Sequence, residues 1–438
     1  MTLMNLIRFM DIRKYSHKKR VHFFINIIVG LLIVLGTHLI QNTELGESAM
    51  NWALDFFIKY EAQKTTIKTK GERILYVDIN DDTYERWGKP LLIPRDKLAS
   101  IIECAYEGGA KVVVVDILLD YKDCCNPKGD EKLRKVLENI HKSKRRLKII
   151  FPILVYQNGK TSNNIFADLI TENKGANFHY GLSYISETQK DSVTRYWVAY
   201  KVIKNNTHKP FIIWGIPLLA VALTEEEGFK KLEGLRNDIF ESRSFKKRLT
   251  FVKKSISIMS NIQDAYSYRI RFLQLPENLG LNRIEAQYIK EALNEKEMEH
   301  MRKVFDFKDK IIIIGNSTYE AGDIHLTPVG NMAGLFIIGN AINTLLNGLQ
   351  MSPSPFLLNM VLEIIVILIA AWFFLYFTSL LAQILGTMTL LLFFGPISWL
   401  LFIKKGIFLN FVLPIIGMVL HEIIVDVEET FILKGRRE

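Results

Sequence analysis

Cysteine is scarce in this chain: three residues in 438, two of them adjacent at Cys124 and Cys125. Neighbouring cysteines bridge each other only with strain. The pair is therefore read as free thiols, an intermolecular link or an unused pair, and no essential role is expected of it. Cys104 lies in an apolar helical pattern and reads as a small buried residue. Enzyme signatures are missing as well. There is no G-x-S-x-G, H-E-x-x-H, P-loop or G-x-G-x-x-G, and the nine histidines show no metal-ligand spacing in the middle region. Neither an enzyme nor a cofactor is expected. Between residues 41 and 355 there is no Pro/Gly/Ser linker and no short-period repeat, so this stretch reads as one segment. The formal net charge is +10, but the basic stretches Lys132–Lys148 and Lys230–Lys254 carry interspersed acids. They read as solvated helix faces, and no nucleic-acid partner is expected.

What the sequence does have is apolarity gathered at two places. Val21–Ile40 is an uncharged run, and Phe356–Val425 holds three more apolar stretches, approximately Leu357–Phe377, Leu380–Ile403 and Ile407–Val425. A hydrocarbon core of about 30 Å needs about 20 apolar residues in a helix, so each can span a bilayer. Arg8, Arg13, Lys14, Lys18, Lys19 and Arg20 precede the first run, against the single acid Asp11. The positive-inside rule keeps that end cytoplasmic. The long basic region, the long apolar run and the lack of an A-x-A site favour an uncleaved anchor over a signal peptide. The expected order is a basic cytoplasmic N-terminus at 1–20, a first span at 21–40, an outside domain at 41–355, three spans at 356–425 and a short cytoplasmic tail at 426–438. Lys404 and Lys405 then fall in an outside loop, a weak violation of the rule. The expected location is the cytoplasmic (inner) membrane, with the domain on the periplasmic or extracytoplasmic side.

Inside the domain, strand and helix patterns alternate. Arg73–Ile79 and Lys111–Ile117 are apolar runs rich in strand formers, the second β-branched as in a sheet buried on both faces. Between them Asp96 is placed to cap a helix through Tyr106, with Gly108 and Gly109 after its end. Asp130–Arg146 reads as a helix leading to a strand at Leu147–Val155. Glu285–Val304 reads as helix, Lys310–Gly315 as a buried strand and Gly334–Leu346 as an amphipathic helix. Residues 157–265 are more polar and less regular, an insertion or second lobe. The fold class is α/β with a mostly parallel sheet and right-handed crossovers, plus a four-helix transmembrane region.

Three strands end in residues able to meet a ligand at the crest of such a sheet: Asp78, Asp116 and Gly315. Asp81 follows the first and Asp323 lies in the loop after the third. Convergent carboxylates there could hold a divalent cation, but an aspartate at a strand end more often caps a helix or a turn, and the metal question stays open. Glu363 lies within an apolar span, where a carboxylate is costly and frequently functional. Packing between helices, transmission of a helix shift and a role in a pore are the readings for it.

These residues resemble the second type of CHASE domain, the cyclases/histidine kinases associated sensory extracellular family. Its opening pattern appears as Val77-Asp78-Ile79-Asn80-Asp81-Asp82, Trp87-Gly88-Lys89-Pro90 and Pro94-Arg95, followed by Gly109-Ala110-Lys111 and Val115-Asp116-Ile117. Its closing pattern appears as Ile314-Gly315, Asp323, Thr327-Pro328, Met332-Ala333-Gly334 and Asn340-Ala341-Ile342. Asp191 and Arg195 match a mid-domain turn in part, with its Asp-Gly replaced. The likeness covers about residues 45–350, and one anchor followed by three helices is also the family's layout. It implies a bacterial sensory input domain and carries over no ligand and no catalytic residue. Asp78, Asp81, Arg95, Asp116 and Asp323 are the candidate ligand-binding residues, and Glu363 the candidate for transmembrane coupling.

About a dozen residues follow the last span, too few for an output domain. The expectation is a stand-alone membrane sensor or receptor subunit in the bilayer, forming a homo-oligomer and signalling through a separate cytoplasmic or membrane partner. Two alternatives stand beside it. One is an oligomeric effector that forms a pore or perturbs the membrane. The other is an outside hydrolase, which needs Asp78, Asp116 and Asp323 in one cavity.

Overall fold

A computed structural model describes residues 17–41, 43–64, 73–143, 147–156, 159–171, 177–183, 191–205, 208–241, 245–260, 265–289, 306–377, 379–409, 415 and 417. The chain divides into two compact units, Met1–Phe57 with Met351–Glu438, and Ile58–Gln350.

The second unit is built on a six-stranded, wholly parallel sheet: β1 (Ile74–Ile79), β2 (Val112–Asp116), β3 (Lys148–Ile153), β4 (Phe178–Leu182), β10 (Arg283–Glu285) and β11 (Ile311–Asn316). Their spatial order is β10-β1-β11-β2-β3-β4. The apolar runs expected at the start and end of the domain are these strands, and the mostly parallel α/β reading holds. Alternation within the strands divides the core in two. Leu75, Val77, Val113, Val115, Ile312 and Ile314 turn to one face. There they meet α4 (Arg95–Gly108) and α5 (Pro127–Lys142) through Leu98, Ile102, Leu133 and Leu137. Each such side chain stabilises the fold by about 1.5–3 kcal/mol on burial. The other face carries α7 (Ile216–Leu223), all eight residues of which are buried, and α10 (Gly334–Leu346), which is buried throughout.

Residues in the 157–265 stretch fold with this unit rather than as a separate lobe. They supply β4, an antiparallel trio β6-β5-β9 (His208–Trp214, Tyr196–Asn205, Ala265–Arg269) and the hairpin of β7 (Phe245–Phe251) with β8 (Lys254–Ser260). Three local expectations need correction. Asp96 does not cap α4. Pro94 holds the N-cap position, and Asp96 instead accepts a hydrogen bond from the Asn126 amide at 3.0 Å. Glu285 ends a short strand rather than opening a helix, because Arg283–Glu285 pairs in parallel with Tyr76–Asp78. The turn Ala286–Tyr288 follows it, and residues 290–305 lie outside the described residues. Gly109 does end α4, in the left-handed conformation at φ 89°.

Among the described residues, the first unit holds three helices long and apolar enough to cross a membrane: Phe23–Ile40, Leu357–Tyr376 and Leu380–Lys405. They lie in α1 (His17–Gln41), α11 (Phe356–Tyr376) and the run α12 (Ser379–Thr389) to α13 (Gly395–Lys405), joined through a π-helical turn at Leu390–Phe394. Lys404 and Lys405 are not in a loop but in the last turn of α13, where cations complement the helix dipole, and Gly406 closes the helix at φ 65°. Residues 1–16, the tail and most of the fourth expected span lie outside the described residues; residues 17–20 of the basic N-terminus belong to α1, and Ile407–Phe408 forms a short strand. Cys124 and Cys125 are exposed and free, and Cys104 is buried.

Candidate functional site

A cavity of about 820 Å³ opens at the carboxyl-terminal crest of the sheet. Its floor comes from the ends of β2, β3 and β11, through Asp116, Pro152 and Asn316. Ser183 after β4 and the N-terminal turn of α10, with Gly334 and Ile338, complete the wall. This is where open parallel sheets bind ligands, because the strands stop and the loops diverge.

Asp116 is the last residue of β2 and points to the α10 face. Burial, and then the charge of Asp323, push its carboxyl up to about 8. Among the described residues it has no hydrogen-bond donor. Asp323 reaches the cavity from the loop after β11. The Thr318 hydroxyl accepts the Ala321 N–H at 3.2 Å, and Gly322 turns the chain at φ 66°. The Asp323 carboxylate then lies beside Gly334 at the start of α10, so close that a side chain at Gly334 would overlap it. That is the electropositive end of the helix. His325, two residues on in β12 (Ile324–Thr327), faces the same way, with Nε2 2.8 Å from the Asp323 carboxylate.

A second turn closes the cavity. Asp191 and Arg195 form a bidentate pair at 2.9 and 2.7 Å, which holds the Asp191 carboxyl below its usual range. Within that turn Ser192 takes φ 57°, a strained conformation for serine. The Thr194 N–H donates to the Leu326 carbonyl at 2.7 Å, so this turn and β12 are tied together. Ser192, Val193 and Thr194 line the cavity, as does Trp197, 2% exposed, whose indole N–H has no hydrogen-bond partner among the described residues.

The five candidate residues therefore separate. Asp116 and Asp323 share the cavity; Asp78, Asp81 and Arg95 do not line it. Asp78 stands opposite Gly315, which stands opposite Asp116. The two aspartates are thus two strand spacings apart, about 9–10 Å. Asp78 is fully buried and turned to the other neighbour, with the Arg283 guanidinium at 2.6 Å, and burial raises its carboxyl despite that partner. Asp81 is exposed in the first turn of α3 (Asp81–Arg86), where Asn80 is the cap and the Tyr319 N–H approaches Asp81 at 3.4 Å. Arg95 is buried, donates to the Ile93 carbonyl at 3.0 Å and faces Asp130 at 3.8 Å, so it braces Ile93, a wall residue. Among the described residues no group of three His, Cys, Asp or Glu is arranged to hold a metal. Asn316 and His325 were within reach of sequence reasoning, since each sits one or two residues from a named position. Ser192–Thr194 lie inside the partly matching turn Asp191–Arg195, whereas Trp197 gave no signal in a stretch read as irregular.

From the cavity α10 runs through the domain as a tightly held rod. Gly339 passes over Tyr76 so closely that a methyl there would overlap the ring. The Asn340 side-chain oxygen Oδ1 accepts the N–H groups of Leu273 and Gln274 at 2.9 and 2.8 Å, and its Nδ2 donates to the Gln274 carbonyl at 2.8 Å. One turn on, the Thr344 hydroxyl accepts the Arg271 N–H at 2.9 Å. The Arg271 guanidinium in turn donates to Glu61 at 2.7 Å, on α2 (Glu44–Lys64). In the membrane-type unit Glu363 of α11 meets His38 of α1 at 2.9 Å. Near them the two helices pack closely at Gly30, where a methyl would press on Ile367 at 2.9 Å.

A family model described as the CHASE2 domain matches residues 27–378. No curated protein and no solved structure matches the chain.

Proposed function

The chain belongs to the CHASE2 domain family, and from that premise we propose that it is a membrane sensor whose outside domain detects a small molecule in the crest cavity. The observation that carries this reading is the cavity's position against the first turn of α10. A ligand there touches one end of a rod whose far half is bonded, through Thr344 and Arg271, to Glu61 on α2. A small displacement of α10 thus has a hydrogen-bonded route to α2, which follows α1 in sequence. Helix shifts of about 1–2 Å suffice for such switching. The basic residues ahead of α1 support an N-terminus in the cytoplasm and a domain on the extracytoplasmic side.

The test uses the full chain purified in lipid nanodiscs. Small molecules released on denaturation are compared by mass spectrometry with those from Ser183→Trp, which fills the cavity. A compound enriched in the wild type, and slower hydrogen exchange in α10 and α2 when it is added back, is the expected result. Equal small-molecule content in the two proteins, with no change in exchange, would remove the reading.

A further inference from the structure

The chemistry of the cavity wall also selects a class of ligand. The titratable side chains that line it, among the described residues, are Asp116 on β2 and Asp323 and His325 on β12 and the loop before it. The imidazole is engaged with Asp323. Arg195, on the neighbouring turn, is already bidentate with Asp191. β3, β4, β11 and α10 contribute only uncharged groups: Pro152, Ser183, Asn316, Gly334 and Ile338. Among the described residues, two carboxyl groups thus face a cavity that holds no uncommitted cation, and Asp116 has no hydrogen-bond donor. Ile93, Ile117, Leu118, Leu154, Ile338 and Trp197 make the rest of the wall largely apolar.

We propose that the crest cavity takes an organic cation, an ammonium group carried on an apolar body, with Asp116 and Asp323 as its counter-charges. The inference rests on the cavity being the sensory site. A bare divalent ion fits poorly, because it seeks six or more oxygen ligands, and no such group is present among the described residues. An anion would meet two carboxyl groups with no free cation among the described residues to offset them. An ammonium ion on an apolar stem answers both the unmatched Asp116 carboxyl and the greasy wall.

The proton balance is explicit. With its carboxyl pushed up to about 8, Asp116 is mostly protonated at pH 7. Binding R–NH3+ then converts Asp116–COOH to the carboxylate and releases one H+ to solvent. Below that value each unit of rising pH removes a tenfold competition by the proton, so affinity for the cation climbs about tenfold per pH unit and levels off above it.

The experiment titrates the full chain in nanodiscs, by calorimetry, with 2-phenylethylammonium, the neutral 2-phenylethanol, the anionic 3-phenylpropanoate and magnesium chloride. The expected result is saturable binding of the ammonium alone, close to one proton released at pH 7, and affinity rising from pH 6 to 8. In Asp116→Asn binding should weaken at least tenfold and lose its pH dependence, and Asp323→Asn should weaken it comparably. Thermal melts confirm that both variants are folded. If the alcohol or the carboxylate binds as tightly, and Ser183→Trp blocks it, the cationic class is overturned while the cavity stands as the sensory site. Magnesium binding in place of the ammonium overturns the organic class. No binding of any probe at millimolar concentration removes both proposals.

Discussion

At the scale of single residues, Asp116 makes the most direct prediction about stability. Its folded carboxyl titrates near 8 against about 4 in an unfolded chain. A group raised on folding contributes its stability below the unfolded value and loses it as pH rises through the folded one. Wild type should therefore melt progressively lower, relative to Asp116→Asn, between pH 4 and 8. The gap should reach a few kcal/mol and close at about pH 4, as read by thermal denaturation at each pH. Gly339 gives a second test. A methyl there overlaps Tyr76, so Gly339→Ala should cost about 1–3 kcal/mol in a denaturant titration by overpacking. The sequence showed these aspartates at strand ends, which was enough to name Asp116 and Asp323. It did not show that Gly315 holds Asp78 and Asp116 two strands apart, because strand order depends on which segment enters between them. Nothing local to Asp78 marks Arg283 as its partner, 205 residues away.

At the scale of elements, α10 and α2 carry the argument. Breaking the buried pair by Arg271→Leu should cost about 3–5 kcal/mol, since Glu61 is then left without its guanidinium. Replacing both, as Glu61→Met with Arg271→Leu, should recover much of that stability and yet blunt the slowing of exchange in α2 on ligand addition. A double mutant that transmits as well as wild type removes the pair from the route. Within the membrane-type unit, Gly30→Leu should push α1 from α11 around Ile367 and break the His38–Glu363 contact. Disulfide cross-linking of cysteines at those two positions, efficient in an otherwise wild-type chain, should then fall several-fold. Long apolar runs were legible as helices and strands because periodicity and composition are local. β5, β6 and β9 were not, because antiparallel strands of mixed polarity such as Tyr196–Asn205 read as irregular until their partners are known. The Asn340 and Thr344 bonds to 271–274 were equally silent, since their partners lie 66 to 73 residues away.

At the scale of the whole molecule, the adjacent free thiols report on sidedness. Cys124 and Cys125 are exposed and Cys104 is buried. Intact spheroplasts should label at the pair with a membrane-impermeant maleimide, and labelling that appears only after lysis would invert the orientation. The strand order also sets a timetable for biogenesis. β1 is the first strand to emerge, yet both of its neighbours, β10 and β11, come more than 200 residues later. Parallel pairing over such separations is slow. Until Arg283–Glu285 and then Ile311–Asn316 arrive, Ile74–Ile79 lacks both of its sheet neighbours. The growing chain therefore depends, for most of its synthesis, on something else to shield that edge, and a truncation before residue 311 should aggregate rather than fold.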